Sequence, residues 1–377
     1  MPQSRPNPRF TISRRDFLRR SAGGGILLIG GPAFLAACSK DSSADTTAAA
    51  RDTTAAASES TAAAETTAAA AAETTAGATA AGTPTKLAMQ ASWVNDAEFT
   101  GYFVALSKGY YTAAGLDLQY LSGGPDVIPE SSLLGNKAPI AITSPDTTIK
   151  AIADDGAPFV IIGTQYQKSP LGVVSLTKSG INEPKDLIGK TLAVPPVNGL
   201  AVEAMLKASG IDPSKVKIVP YAYDPTPLLK GEIDASIDFT TNVPFTIKQS
   251  GEEASSFLLY DFGVTLFNDT IVVTKDTLAK DRDSIVAWLR ASRQGWTENL
   301  VDPAVYPPTF ADSYFKGNGR TIENEVFFNT AQKPLVDAAG GVFSMTDEAI
   351  DANLKALASI GIKGTKEMFD TSLLAEI

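Results

Sequence analysis

The stretch from residue 86 to residue 124 constrains the fold of this chain more than any other. Residues 86–90 alternate weakly between polar and apolar side chains, as a half-buried strand does, and residues 116–121 are typical of a second strand. Between them, apolar side chains recur at three- and four-residue spacing, which a helix would place on one face: Phe99, Phe103, Leu106 and Tyr110. A strand, a crossover helix and a strand form a βαβ unit, so the sequence predicts an α/β fold.

The loops that follow the two strands are the first candidate binding site. Ligands of βαβ units bind beyond the carboxyl ends of the strands, where residues 93–98 and 122–125 would lie. A tryptophan in the first loop could stack on a planar ring, an interaction worth roughly 0.5–1.5 kcal/mol beyond the area it buries, or it could be a core aromatic. The candidate ligand residues of the two loops and of the helix start are Trp93, Asn95, Glu98, Phe99, Tyr102, Gly123 and Gly124.

The same residues resemble a known family. Residues 93–105, followed by Lys108-Gly109-Tyr110-Tyr111 and Gly123-Gly124-Pro125, resemble the solute-binding proteins of ABC importers for thiamine pyrimidine precursors. Their wider superfamily includes taurine, sulfonate and nitrate binders. The resemblance covers residues 86–377 and implies a type II periplasmic-binding-protein-like fold, with two lobes, two crossovers and a ligand cleft between the lobes. It also implies a small-molecule ligand and an ABC permease and ATPase as partners.

The amino terminus predicts export and a lipid anchor. Residues 13–19 match the twin-arginine export signature, and the apolar residues 23–37 after them are too short and too glycine-rich for a membrane span, so residues 1–37 are predicted to be a signal peptide. Leu35-Ala36-Ala37-Cys38 resembles a lipoprotein lipobox, although an ordinary cleavage site with an incidental cysteine is the alternative. Because Cys38 is the only cysteine, its lipidation would leave no disulfide and no thiol chemistry. We therefore expect a protein anchored to the outside of the bacterial cell membrane.

The rest of the chain divides into a tether and two lobes. Residues 38–84 consist almost entirely of Ala, Thr, Ser, Asp, Glu and Gly, which cannot bury enough surface to offset the entropy of ordering, so a disordered tether is predicted. Apolar strands near residues 171–177 and 269–274 are the candidate crossings between lobes. They place the first part of lobe 1 at 85–176, lobe 2 at 177–269 and a second, mainly helical part of lobe 1 at 270–377.

Further candidate ligand residues follow later strands. Ser144 before Pro145 is typical of a helix start, with the hydroxyl as N-cap, and the free N–H groups there could hold a polar ligand group. Asn198 is placed either to cap the next helix or to bind ligand. Tyr166 lies in a polar loop, and Asp238 and Asn242 follow a strand. Relatives that bind thiamine precursors often carry Asn-Glu-Pro where this chain has Asn242-Val243-Pro244.

Composition excludes several classes of function. The chain contains no histidine, which removes Ser-His-Asp and Cys-His arrangements, histidine-ligated zinc and the usual neutral-pH base. We therefore predict no catalytic residue, no metal and no cofactor. The formal charge is −10, and about −15 without the six arginines and one aspartate of the signal peptide, which argues against nucleic-acid binding. A monomer is expected.

The sequence thus predicts a lipoprotein that binds a solute and is not an enzyme. The first ligand class is a small planar heterocycle such as a pyrimidine precursor of thiamine, with Glu98 or Asp238 accepting hydrogen bonds from ring nitrogens or an exocyclic amine. The rival ligands are riboflavin-like heterocycles and small anions such as taurine, alkyl sulfonates and nitrate. Anion binders should line the cleft with Arg or Lys, and the candidate loops offer only Lys168. A sensory lipoprotein and a pyrimidine-acting enzyme on the same fold are the other open classes.

Overall fold

The computed structural model describes residues 83–377, which form two five-stranded sheets connected by helices. The predicted signal peptide, Cys38 and the predicted tether up to residue 82 lie outside the described residues. The strands are β1 Thr85–Gln90, β2 Leu116–Leu121, β3 Ile140–Thr143, β4 Phe159–Tyr166, β5 Leu171–Leu176, β6 Thr191–Val194, β7 Lys217–Pro220, β8 Ala235–Phe239, β9 Ala254–Leu258 and β10 Asn268–Thr274. The helices are α1 Thr100–Ser107, α2 Tyr110–Ala113, α3 Pro129–Leu134, α4 Pro145–Asp155, α5 Gly199–Ala208, α6 Thr226–Leu229, α7 Val243–Gln249, α8 Lys275–Val301, α9 Ile322–Val336 and α10 Asp347–Ser359.

Lobe 1 is built on the sheet β2-β1-β3-β10-β4. β1 pairs in parallel with β2 along its whole length, from Thr85 opposite Leu116 to Gln90 opposite Leu121, which confirms the predicted βαβ unit. β10 runs antiparallel to β3 and β4. Because of this direction, the amino end of β10 lies at the same edge of the sheet as the carboxyl ends of the other four strands.

Lobe 2 is built on the sheet β7-β6-β8-β5-β9. The prediction that residues 171–176 end lobe 1 is wrong, because β5 pairs antiparallel with β8 and β9 in the second sheet. The first crossing therefore lies before Leu171, between β4 and β5. The chain returns to the first sheet at β10, which pairs with β3 and β4.

Helix α8 covers lobe 1 with the apolar stripe that its sequence predicts. All four residues of the stripe are buried: Ile285, Trp288, Leu289 and Trp296. The helix approaches α1 so closely that a Cβ on Gly295 would lie 2.3 Å from the carbonyl oxygen of Gly101. Glycine at this position is thus a packing requirement of the interface between the two helices.

The carboxyl-terminal segment is less helical than the prediction of a mainly helical part at 270–377. It forms only short 3₁₀ turns at Lys366–Met368 and Ser372–Glu376. Between these turns, Phe369 forms a parallel β-bridge with Ile161 of β4. This bridge takes the chain out of helical geometry. Across residues 83–377, no helix combines the length and the apolar character that crossing a membrane requires.

Candidate functional site

The two lobes meet where the loops after their parallel strands come together. The loop after β1 carries Trp93 in lobe 1, and the loop after β7 carries Tyr223 in lobe 2. Their rings lie 5.2 Å apart between centroids, in an edge-on arrangement with an interplanar angle of 62°. We call the space between these loops the cleft.

The Trp93 loop is held by backbone contacts with the loop after β2. The N–H of Gly123 donates to the carbonyl oxygen of Trp93 at 2.8 Å. A Cβ on Gly123 would lie 2.4 Å from the carbonyl oxygen of Ala91, so only glycine fits there. The Gln90 amide ties the two strand ends together by donating to the carbonyl oxygens of Ala91 and Ser122, both at 3.1 Å. Gly123 thus positions the Trp93 loop, and its contact with a ligand stays a prediction.

Lobe 2 contributes an aromatic wall that the sequence reasoning missed. Tyr223 leaves 42% of its surface exposed and has a left-handed φ of +61°. For a residue with a Cβ this conformation costs roughly 1–2 kcal/mol, and such residues persist where the surrounding structure holds them, often at functional sites. The ring of Tyr221 lies 5.9 Å from that of Tyr223. The only sequence signal for this wall is a pair of tyrosines directly after a strand.

Asp238 places a buried carboxyl group beside these tyrosines. It lies in β8, is only 3% exposed, and accepts a hydrogen bond from the Ser236 hydroxyl at 2.5 Å. Burial raises the pKa of Asp238 from 3.8 to about 7, although the Ser236 hydroxyl opposes this rise. Burial and the Asp238 charge together raise the pKa of Tyr221 and of Tyr223. At neutral pH, Asp238 can therefore present either a carboxylate or a neutral carboxyl group to the cleft.

Lobe 1 contains two further buried carboxyl groups that lie close together, those of Glu98 and Asp269. Glu98 is 4% exposed; burial and the nearby charges of Asp269 and Asp96 raise its pKa well above its ordinary value. Burial also raises the pKa of Asp269, against a hydrogen bond from Glu98. Asp269 also accepts hydrogen bonds from the Ser92 hydroxyl and the Gln165 amide, each at 3.2 Å, and from the Asn268 amide at 3.3 Å. Both acids are therefore harder to ionise than exposed carboxyl groups, because each is buried and lies close to other acidic groups.

A third acidic group, next to this pair, is compensated by an arginine. Asp96 accepts a hydrogen bond from the backbone N–H of Glu98 at 2.9 Å and forms an ion pair with Arg320. Glu325 accepts from the backbone N–H of Ala97 at 2.7 Å and lies 3.9 Å from the same guanidinium. Burial raises the pKa of Asp96 and of Glu325, whereas the Arg320 charge lowers both. These residues fasten the Trp93 loop to the rest of lobe 1.

Three of the predicted ligand residues lie in the core, which corrects the prediction that they face the cleft. Phe99 and Tyr102 are fully buried because the turn of the helix directs them into lobe 1, where Tyr102 stacks between Trp288 at 5.8 Å and Phe343 at 6.1 Å. Tyr166 is also fully buried, because it belongs to β4 rather than to a loop, and its hydroxyl donates to Gln332.

The other predicted residues divide into two groups. Trp93 contacts Tyr223 of lobe 2, and Asn242 of lobe 2 lies beside Arg320 and Asn324 of lobe 1. Glu98 and Asp238 are buried, the first in lobe 1 and the second in lobe 2. Ser144 and Asn198 stand at helix starts as predicted, but neither side chain caps its helix, and Ser144 is exposed. The side-chain oxygens of Asn95 and Asn198 are buried without a hydrogen-bond partner. Gly124 is buried in the loop after β2.

The structure also locates the charges that matter for ligand choice. Lys168, the cation that the candidate loops offered, lies 3.7 Å from Asp261 and over the ring of Tyr260. In the part of the chain from residue 83 onward, no three His, Cys, Asp or Glu side chains are grouped so as to hold a metal ion.

Comparison with known proteins gives one family and several distant relatives. The family described as NMT1/THI5 like matches residues 96–305, more than half of this chain. Riboflavin-binding protein RibY of Chloroflexus aurantiacus is 24% identical over 226 residues, covering 59% of this chain and 64% of that protein. The formylaminopyrimidine-binding protein of Halalkalibacterium halodurans is 24% identical over 217 residues, covering 56% of this chain and 65% of that protein. The match therefore spans slightly less than two thirds of the length of either relative.

An enzyme and a transport protein are also similar to this chain. The 4-amino-5-hydroxymethyl-2-methylpyrimidine phosphate synthase of Legionella pneumophila is 23% identical over 218 residues, covering 56% of this chain and 68% of that protein. The solved structure of a putative periplasmic sulfonate-binding protein, SsuA from Methylobacillus flagellatus KT, matches with a TM-score of 0.59 at 13% identity, over 78% of this chain and 94% of that one. This likeness is one of fold, and it confirms the predicted two-lobed, periplasmic-binding-protein-like architecture.

Proposed function

This chain belongs to the NMT1/THI5-like family, and from that premise we propose that it is an extracytoplasmic solute-binding protein for a small planar heterocycle. The proposed ligand has an aminopyrimidine-type edge, with a ring nitrogen beside an amino group. The protein would deliver this ligand to an ABC importer and be held at the membrane by lipidated Cys38 after twin-arginine export. The ligand, the anchor and the importer are parts of this proposal.

The observation that carries the proposal is the aromatic pair across the cleft. Trp93 and Tyr223 come from different lobes and touch only at an edge, with 5.2 Å between their centroids. A planar ring that enters between them exchanges this edge contact for stacking on the indole, which aromatic rings favour in offset geometry. Both lobes then hold the same ligand, so binding favours the closed arrangement.

The carboxyl groups on both sides of this pair supply the polar complement. A neutral carboxyl group donates one hydrogen bond and accepts another, which matches a ring nitrogen and the amino group next to it. Asp238 offers this chemistry from lobe 2, since its pKa of about 7 allows the neutral form at neutral pH. Glu98 and Asp269 offer it from lobe 1. The unpartnered oxygen of Asn95 adds an acceptor.

The same charges argue against the anionic ligands. A sulfonate or nitrate would approach Glu98, Asp269 and Asp238, while Arg320 is already paired with Asp96. Riboflavin-like heterocycles form the second candidate class, which the similarity to a riboflavin-binding protein favours. They share the planar ring that the aromatic pair requires.

We propose binding without turnover. Pyrimidine phosphate synthases are among the relatives, but this chain has no histidine to act as a base or metal ligand. Incubation of the full-length protein with candidate pyrimidines, followed by mass spectrometry, should return the ligand unchanged. A modified pyrimidine would overturn this part of the proposal.

A thermal-shift screen of the full-length protein tests the ligand class. The panel contains 4-amino-5-hydroxymethyl-2-methylpyrimidine, thiamine, riboflavin, taurine, an alkyl sulfonate and nitrate. A ligand at a hundred times its dissociation constant should add about 2.7 kcal/mol to the free energy of unfolding. We expect this with the aminopyrimidine, its loss in Trp93→Ala, and its retention in Tyr260→Ala, which removes an aromatic ring outside the cleft. Stabilisation by sulfonate or nitrate alone would refute the heterocycle, and no stabilisation by any compound would refute the proposed ligand classes.

A further inference from the structure

A second contact joins the lobes at a distance from the two crossings. Helix α7 of lobe 2 packs on the first turns of helix α9 of lobe 1. The ring of Phe245 stacks on that of Phe327, with 5.1 Å between centroids and an interplanar angle of 27°. Two hydrogen bonds also cross this contact, from Asn324 to Thr246 and from Gln249 to Thr321, each 2.9 Å long. We call these six residues the interlobe seam.

Arg320 connects the seam to the Trp93 loop. On one side, its Nη1 pairs with Asp96, whose carboxylate also holds the backbone N–H of Glu98. On the other side, the hydrogen-bonding groups around Asn242 assign its amide oxygen to face the guanidinium, and in this orientation Nη2 and Nε donate to that oxygen at 2.9 and 3.2 Å. The Asn242 amide in turn donates to Asn324 of the seam at 2.7 Å. A single guanidinium thus bridges the Trp93 loop of lobe 1 and the start of α7 in lobe 2.

We infer that Arg320 is a positioning residue that couples the order of the Trp93 loop to closure of the lobes. The guanidinium is planar and its donors are fixed in one fork, so its orientation toward Asp96 also sets its orientation toward Asn242. When the lobes separate, Asn242 leaves with α7, and the guanidinium loses the contacts that hold its plane. Since coupling between two sites is reciprocal, a ligand that orders the loop also favours the closed seam.

Two substitutions can distinguish a coupling role of Arg320 from a role in which it only compensates the charges of Asp96 and Glu325. Lysine at position 320 would keep a positive charge beside Asp96 and Glu325 but would lose the fork that reaches Asn242. Thr246→Val removes a hydroxyl of the seam while preserving the shape of the side chain, and its position has no contact with the Trp93 loop. Arg320→Lys therefore perturbs the connection to the Trp93 loop, and Thr246→Val perturbs the interlobe seam.

Two measurements on the ligand-free, full-length protein test the inference. The first is the distance between spin labels on Lys137→Cys in lobe 1 and Lys217→Cys in lobe 2, in a Cys38→Ser background. The second is amide hydrogen exchange at Ala97 and Glu98, whose N–H groups are bonded to Glu325 and Asp96. Arg290→Lys, the same change on an exposed face of α8, is the matched control. Near-UV circular dichroism verifies that each variant is folded.

We expect both Arg320→Lys and Thr246→Val to shift the label distances toward the open arrangement and to speed the exchange of the two amides. Loss of the guanidinium hydrogen bonds to Asn242 should lower the closed-to-open ratio of Arg320→Lys about tenfold or more. Unchanged distances in both variants would overturn the seam as a closure contact. Wider distances with unchanged exchange in Thr246→Val would overturn the coupling through Arg320.

The coupling has a biological role only if the protein binds a ligand, so the inference rests on the proposed function. Its experimental test does not depend on that function. Neither measurement requires a ligand, so failure of the compound screen leaves both readouts intact. Conversely, a confirmed aminopyrimidine ligand with unchanged distances and exchange would retain the binding function and discard the role of Arg320.

Discussion

Replacing Asp238 by asparagine should make the protein more stable at neutral pH, by an amount that grows with pH. The carboxyl group is 3% exposed, and burial raises its pKa from 3.8 to about 7. Below pH 3.8 the Asp238 carboxyl group is neutral in both the folded and the unfolded chain, so its burial carries no ionisation cost there. Between pH 3.8 and 7 the unfolded chain releases this proton more readily than the folded one, so the free energy of unfolding falls as the pH rises.

The size of the effect follows from the two pKa values. At about 1.4 kcal/mol for each tenfold change in proton affinity, the buried carboxyl group costs about 4 kcal/mol of stability at pH 7 and about 1 kcal/mol at pH 4.5. Asparagine is neutral throughout and can still accept the Ser236 hydroxyl. The stability advantage of Asp238→Asn should therefore grow by about 3 kcal/mol between these two pH values.

Urea unfolding at pH 4.5 and pH 7, followed by circular dichroism, measures this difference. Other buried acids titrate in both proteins and cancel when the variant is compared with the parent. Asp117→Asn, the same change at an exposed position of β2, should show no growth of the difference. An Asp238→Asn difference that does not change with pH, or a variant that is less stable than the parent at pH 7, would contradict a raised pKa of Asp238 in the folded protein. Either result would mean that the folded protein holds Asp238 as a compensated carboxylate.

Three further substitutions test the packing around the site. Gly123→Ala places a Cβ 2.4 Å from the Ala91 carbonyl oxygen, so the Trp93 loop must shift, and calorimetry should show ligand affinity weakened by about tenfold or more. Gly295→Ala forces α8 away from the Gly101 carbonyl, and urea unfolding should report a loss of about 1–3 kcal/mol, as overpacked cores do. Tyr223→Gly removes the aromatic wall and relieves about 1–2 kcal/mol of left-handed strain, against which glycine loses about 0.5–1 kcal/mol of chain entropy. Affinity should therefore fall while stability stays within about 1 kcal/mol of the parent.

The elements that local periodicity specifies were predictable from the sequence. The strand Leu116–Leu121 has the bounds that its apolar pattern predicts, and the stripe on α8 is buried as expected. The strand Ala254–Leu258 was missed because it is a half-buried edge strand with two serines and little alternation. The carboxyl-terminal segment belongs to the part predicted to be mainly helical, but its Phe369 forms a β-bridge with Ile161 of β4. Tertiary pairing overrides local pattern in both places.

The site was predictable only where it follows the parallel strands. Trp93, Glu98 and Asp238 could be found because the residues at or after the ends of such strands meet at one edge of a sheet. Asp269 is the second residue of the antiparallel strand β10, and its place at that edge depends on the direction in which the chain returns. Arg320 lies in an irregular segment before α9, about 220 residues from Asp96, and no periodicity links the two. Such long-range partners are set by topology, which spacing along the chain does not encode.

The charge at the cleft gives the strongest physical argument about the ligand. Four acids surround the base of the Trp93 loop: Asp96, Glu98, Asp269 and Glu325. The guanidinium of Arg320 is the positive charge that compensates them. Burial raises the pKa of all four acids, so each is harder to ionise than an exposed carboxyl group. A ligand that donates hydrogen bonds would stabilise these acids in their carboxylate form. An anion would add a further negative charge, and no guanidinium or ammonium group other than Arg320 contributes to the electrostatics of Glu98 and Asp269 in residues 83–377. The site chemistry therefore favours an amine-bearing heterocycle over a sulfonate on a fold that serves both.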